Sequence, residues 1–93
     1  MSKRKNRHLL QLGSVIKTHR IALGLREETR KFFLDDRVRK GLLEYDDISE
    51  KTLMNIENGH NLPNLVTLKI LATALEIDFI QLISEIYDHI PRR

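Results

Sequence analysis

The chain has 93 residues, of which 41% are apolar, 5% are aromatic and none is cysteine, and its formal net charge is +3. This length fits one domain with a small core. The lack of cysteine excludes a disulfide scaffold, a thiolate zinc site and a cysteine nucleophile, and it fits a cytoplasmic protein. No apolar run approaches the roughly 20 residues of a membrane-spanning helix, so we expect no membrane partner.

Charge is distributed unevenly along the chain. Residues 1–20 carry six Lys or Arg and no Asp or Glu, whereas residues 41–60 carry five acids and a single Lys. We assign residues 1–10 to a basic N-terminal arm and residues 11–90 to one helical domain. The arm contains Lys3, Arg4, Lys5 and Arg7. The apolar stretch that follows them ends at Leu10 and is too short for a signal peptide. Such an arm either contacts a polyanion or is disordered.

The first half of the domain is predicted to be helical, because its apolar residues recur at intervals of three and four. The first helix covers Leu12 to Leu23, with Gly24 suited to a left-handed C-cap. Residues 26–47 fit either one long helix or two short ones, since Gly41 interrupts their pattern.

The second half contains three short helices with clear starts. Ser49 can cap a helix that runs to Glu57, and Ile48 before it can pack on Leu53. Pro63-Asn64 opens the next helix, and Asp78 opens a last one that runs to Ile90. The fold class is therefore all-α.

Three blocks of residues in this order resemble the Cro and phage-repressor type of helix-turn-helix regulator. The first block is Leu12-Gly13 with Ile16, Arg20, Gly24 and Leu25. The second is Ile48-Ser49 with Thr52, Leu53, Ile56, Glu57, Asn58 and Gly59. The third is Pro63 with Leu65, Thr67, Leu68, Ala72, Ala74, Leu75, Ile77 and Leu82. The resemblance covers residues 12–25 and 48–82, about half of the chain.

This resemblance implies a compact five-helix, lambda-repressor-like DNA-binding domain. The helix after Ser49 would enter the major groove and read bases with Glu50, Lys51, Thr52 and Asn55, whose side chains match the donor and acceptor patterns of base edges. Arg20 and Glu57 look like the family's buried ion pair. The loop with Asn58, His60 and Asn61, together with Ser49, would contact phosphates.

The sequence departs from the family before this helix. The segment between Leu25 and Ser49 is longer than usual, and the family's usual start of the first motif helix is not recognisable after Leu25. Counting back from Ser49 places Leu42-Leu43 at the family's Leu-Ala positions. Arg37, Arg39 and Lys40 would then lie near the N-terminus of that helix and contact phosphates.

No catalytic or metal-binding pattern is found in the sequence. The four histidines are not spaced as a metal pair on one helix face. Asp35-Asp36 and Asp46-Asp47 are adjacent pairs, which point apart on a helix and are typical of caps or solvated turns. We therefore expect no enzyme, no metal and no cofactor.

The last helix carries more apolar residues than its own core needs. Phe79, Leu82 and Ile86 suffice to close it on the domain, which leaves Ile80, Ile83, Tyr87 and Ile90 as a second face. We expect this face to form a homodimer, unless residues 26–47 cover it in the monomer.

The function expected is a sequence-specific transcriptional regulator that binds a palindromic operator in double-stranded DNA. In size, the chain resembles the autoregulatory controller proteins of restriction–modification systems. For such a regulator, RNA polymerase would be a further partner. The alternative is an antitoxin-type protein-interaction module that also binds its own operator.

Overall fold

The computed structural model describes residues 7–92, which form five α-helices and no strand. The helices are α1 (Arg7–Ala22), α2 (Arg30–Arg39), α3 (Glu50–Glu57), α4 (Leu65–Leu75) and α5 (Phe79–Ile86), followed by a 3-10 turn at Tyr87–His89. The all-α prediction is confirmed. None of the helices in this part of the chain is long and apolar enough to cross a membrane.

Three of the predicted N-caps are present. The Ser49 hydroxyl accepts a hydrogen bond from the Thr52 N–H at 3.0 Å, and Asn64 and Asp78 cap α4 and α5 in the same way. These short polar side chains satisfy backbone donors that lack a partner in the first turn of a helix. The starts of α3, α4 and α5 therefore follow from local sequence.

The helix α1 begins earlier than the sequence predicts. It starts at Arg7, so residues 7–10, which we assigned to the arm, belong to the domain. Lys3, Arg4 and Lys5 lie outside the described residues. The helix ends at Ala22, and Gly24 follows with a φ of +66°, as its predicted capping role requires.

The segment before α3 is neither one long helix nor two short ones. Thr29 caps α2 by accepting a hydrogen bond from the Phe32 N–H at 3.1 Å, and α2 ends at Arg39. Gly41 has a φ of +79° and is followed by an N–H···O bond from Leu42 to Arg37, which closes the helix end. The remaining residues of the segment, 26–29 before α2 and 40–47 after it, are not helical, and residues 40–49 form the loop that leads to α3.

A single core joins the helices. The helix α1 packs on α3, α5 and the 3-10 turn, while α2 packs on α3 and α4 packs on α5. Gly13 allows α1 to lie directly on the end of α3, because a Cβ there would collide with the carbonyl oxygens of Ile56 and Glu57. The centre of the core is made of fully buried residues from all five helices: Leu12, Ile16, Phe33, Leu53, Ile56, Leu71, Leu82 and Ile86.

Candidate nucleic-acid interface

The helix α3 has one face in the core and one face in solvent. Leu53, Ile56 and Glu57 are buried. On the outer side, Glu50, Lys51, Thr52 and Met54 are exposed and Asn55 is half-buried. The four predicted base-reading residues therefore all lie outside the core, with Asn55 the least accessible of them. Met54 was missed in the sequence analysis, although its apolar side chain is also exposed there.

The hydroxyl groups of Ser49 and Thr52 are bonded to each other. Ser49 donates to the Thr52 oxygen at 2.9 Å while accepting from the Thr52 N–H. Because the Ser49 hydroxyl proton is bonded to Thr52, Ser49 would have to break this bond before it could donate to a phosphate. The Thr52 hydroxyl keeps its own proton for an outside acceptor.

A buried ionic cluster fixes the C-terminal end of α3. Arg20 donates to both carboxylate oxygens of Glu57, with N···O distances of 2.7 and 2.9 Å, and also to the carbonyl oxygen of Glu28. Arg30 donates to the same carboxylate at 2.9 Å. The Glu57 side chain is fully buried and the Arg20 side chain nearly so. The predicted pair is present, and the cluster links α1 and α2 to the last turn of α3.

The loop after α3 exposes polar side chains next to the outer face. Asn58 is half-buried at the C-cap, Gly59 is buried with a φ of +79° against Leu10, and His60 and Asn61 are exposed. The His60 N–H donates to the Asn55 carbonyl oxygen at 2.8 Å, which keeps the loop close to α3.

Arg37 does not face solvent, and its prediction as a phosphate contact is wrong. Only 1% of the residue is exposed. Its guanidinium donates to the Asp36 carboxylate at 2.5 and 3.1 Å, to Glu76 at 2.5 Å and to the Ala74 carbonyl oxygen at 3.2 Å. These bonds use the donors of the guanidinium within the protein and join α2 to the end of α4.

The same cluster shifts two pKa values. The hydrogen bond from Arg37 holds the pKa of the Asp36 carboxyl below its usual range, against the opposing effect of burial. Burial works against the charge on Arg37, but its bonds to Asp36 and Glu76 outweigh burial and raise its pKa. The expectation that Asp35-Asp36 is a cap or solvated pair is therefore wrong for Asp36, which is a buried ion-pair partner.

The register that places Leu42-Leu43 in the first motif helix is also wrong. Both residues lie in the loop after α2, while Phe33 and Leu34 are the buried residues of the helix before α3. Arg39 and Lys40 are exposed at the C-terminal end of α2 rather than at its start. The residues at the N-terminal turn of α2, where a phosphate contact is expected, are Arg30 and Lys31 instead, and Arg30 is bound to Glu57. The signal for them in the sequence is Thr29, a good N-cap residue immediately before them.

No known protein family, characterised protein or solved structure matches this chain. Within residues 7–92, no group of three or more His, Asp or Glu residues is placed to hold a metal ion.

The outward face of α5 is apolar and uncovered. Ile80 and Tyr87 are each 69% exposed and Ile90 is 38% exposed, so residues 26–47 do not cover them. Ile83 is half-buried and packs against the core of its own domain. The predicted face is therefore narrower than expected, and its C-terminal part lies on the 3-10 turn rather than on a continuous helix.

Proposed function

We propose that the protein is a sequence-specific DNA-binding regulator of lambda-repressor-like fold, with α3 as its recognition helix. The observation that carries this proposal is the outer side of α3, where Glu50, Lys51 and Thr52 are exposed and Asn55 is half-buried on a helix that Ser49 caps at its start. An eight-residue helix with such a face has the size and the donors and acceptors to read base edges in the major groove.

The ionic cluster around Glu57 supports this proposal because base reading needs a fixed helix. Two guanidinium groups from α1 and α2 hold one carboxylate at the end of α3. Charge-assisted bonds in a buried site are strong and directional. Any rotation of α3 that turned its outer face would break them.

Phosphate contacts on either side of α3 would orient the domain. The N-terminal turn of α2 offers Lys31 beside the first N–H groups of the helix, while Arg30 is held by Glu57. The loop after α3 offers Asn58, His60 and Asn61, whereas Arg39 and Lys40 are exposed at the opposite end of α2. These contacts would supply affinity for any sequence, while α3 would supply the choice of sequence.

We further propose that two copies bind a palindromic operator through the α5 face. Exposed Ile80, Tyr87 and Ile90 form an apolar surface that a symmetric contact would cover. A dimer with recognition helices about 34–36 Å apart would meet two half-sites on one side of B-DNA. Such a protein would act in the cytoplasm and regulate its own gene, with RNA polymerase as a further partner.

Selection of bound duplexes from a pool of random sequence tests this proposal. We expect recovery of a palindrome with half-site centres about one helical turn, or roughly 10 base pairs, apart. A control selection with Lys51→Ala/Asn55→Ala should lose this palindrome. Recovery of no preferred sequence by the unaltered protein would contradict the proposal.

A further inference from the structure

A cleft of about 400 Å³ opens between α2, the loop of residues 40–49 and the start of α3. The loop builds one of its walls. The other walls of the cleft come from α2 and from the first residues of α3. It is large enough for one or two side chains of a peptide.

The floor of the cleft is apolar. Leu34, Leu43 and Ile48 are buried core residues that show one edge to the cleft, and Val38 is half-buried beside them. A methyl-rich floor of this kind favours an apolar side chain over a polar one, because its contact removes apolar surface from water.

The rim of the cleft is acidic. Asp35, Glu44, Asp46 and Glu50 line it, and Lys31 is the single cation among these described lining residues. Lys31 is already paired with Asp35 at 3.2 Å. The remaining carboxylates give the rim an excess of negative charge. The rim therefore favours a cationic ligand.

Tyr45 stands at the same rim with 89% of its surface exposed. In the described part of the chain, no hydrogen bond or ring contact holds this side chain. An aromatic ring beside carboxylates attracts Lys and Arg through its face, and Tyr is enriched at the centres of protein interfaces.

We propose that this cleft binds a cationic segment of a partner protein. One apolar side chain of the segment lies on the floor, and flanking Lys or Arg residues pair with the acidic rim and with the Tyr45 ring. The cleft is distinct from the outer face of α3, although Ser49 and Glu50 border both. The assignment does not depend on whether α3 binds DNA.

Titration of the 15N-labelled full chain with the peptide acetyl-Arg-Lys-Leu-Leu-Lys-Arg-amide tests the proposal by NMR. We expect saturable shifts of backbone N–H signals concentrated at residues 43–50. The acidic peptide acetyl-Glu-Glu-Leu-Leu-Glu-Glu-amide should produce none. Absence of saturable shifts with the basic peptide up to millimolar concentration would overturn the proposal.

Variants that remove equal charge inside and outside the cleft distinguish binding in the cleft from attraction of the basic peptide by the net charge of the protein. Glu44→Gln/Asp46→Asn removes two rim charges, and Tyr45→Ala removes the ring; each should weaken peptide binding at least tenfold. Glu27→Gln/Asp88→Asn removes two exposed charges outside the cleft and should change binding less than twofold. Equal losses in both charge variants would show that only net charge matters and would overturn the proposal.

Two further titrations, with a peptide of this chain's own sequence and with a DNA duplex, test for other occupants of the cleft. A peptide with the sequence of residues 1–7 of this chain should bind no better than the basic peptide. Tighter binding by it would make the N-terminal segment of this chain, from the same or a second copy, the occupant and overturn the assignment to a partner protein. A mixed-sequence DNA duplex should leave the shifts of residues 43–46 unchanged, and shifts there would make the cleft part of a DNA surface.

Discussion

Glu57 is the residue on which three helices converge. Its buried carboxylate accepts bonds from Arg20 on α1 and Arg30 on α2 while it sits in the last turn of α3. If one side of such a cluster is removed, buried charge is left without a partner, which costs about 3–5 kcal/mol. The cluster therefore couples the stability of the domain to the orientation of α3.

We predict that Glu57→Ala lowers the free energy of unfolding by about 3–5 kcal/mol, as measured by urea denaturation. Glu50→Ala is the matched control on the exposed side of α3 and should cost less than about 1 kcal/mol. A loss at Glu57 no larger than that at Glu50 would mean that the cluster does not hold the helices together.

Asp36 gives the stability a dependence on pH with a definite sign. Its pKa lies below the ordinary value because Arg37 donates to its charged form. A carboxyl whose pKa falls on folding stabilises the folded state above its unfolded pKa, near about 3.9, and this stability is lost as the pH drops through the folded pKa. Glu85, whose pKa is lowered by the hydrogen bond with His19, acts in the same direction.

We predict that Asp36→Asn lowers the melting temperature at pH 7, and that its difference from the unaltered protein narrows as the pH falls below about 4. The neighbouring Asp35→Asn is the control, because Asp35 is exposed and pairs with Lys31 on the surface. A difference for Asp36→Asn that stays constant from pH 7 to pH 2 would contradict the ion-pair assignment.

Two ionic clusters of this domain differ in how far the sequence predicts them. Arg20 and Glu57 were expected because they fall at matching positions in two blocks of a family resemblance. Asp36 and Arg37 have no such marker, and adjacent charges on a helix usually face solvent. Their bonds to each other, the bond from Arg39 to Asp36, and the contacts of Arg37 with Glu76 and the Ala74 carbonyl oxygen together compensate for their burial.

At the scale of helices, local sequence predicts where a helix begins better than it predicts which residues before α3 are helical. Ser49, Asn64 and Asp78 act through bonds to N–H groups three residues ahead, so their effect is visible in the sequence. The helix α2 has a buried face, but that face is not apolar throughout, because two of its buried positions are Asp36 and Arg37. Its apolar pattern was therefore too weak to set the register.

The exposed face of α5 leads to a prediction about assembly. Ile80→Glu/Tyr87→Glu should leave a folded monomer, because both side chains are largely exposed in the single domain. Sedimentation should show a lower mass than that of the unaltered protein, with the same helical content by circular dichroism. A control with Leu65→Glu/Val66→Glu, at exposed apolar positions on α4, should remain dimeric.

A double variant at α5 that still sediments as a dimer would assign the interface elsewhere. A variant that unfolds would show that Ile80 and Tyr87 belong to the core of the domain. Either result would remove the geometric basis for two recognition helices one DNA turn apart.

At the scale of the whole molecule, the distribution of charge predicts which end of α2 meets DNA. We expect Lys31→Gln, which leaves the Arg30–Glu57 pair intact, to flatten the dependence of log affinity on log salt by up to about 0.9 units of slope for the phosphate that is no longer neutralised. Lys40→Gln removes the same charge from the other end of α2 and should leave the slope unchanged. The reverse result would place the C-terminal end of α2 on the phosphates.

The outer face of α3 is expected to choose the DNA sequence, and base preference is the quantity that tests this role. The measurement is fluorescence anisotropy of the unaltered protein, Lys51→Ala, Asn55→Ala and the control Lys69→Ala on the selected operator and on its single-base variants. We expect Lys51→Ala and Asn55→Ala each to lose about 1–3 kcal/mol of discrimination at one defined base pair, with the fold intact and Lys69→Ala unchanged. Unchanged discrimination at every position in both α3 variants would contradict the assignment of α3 as the helix that reads the bases.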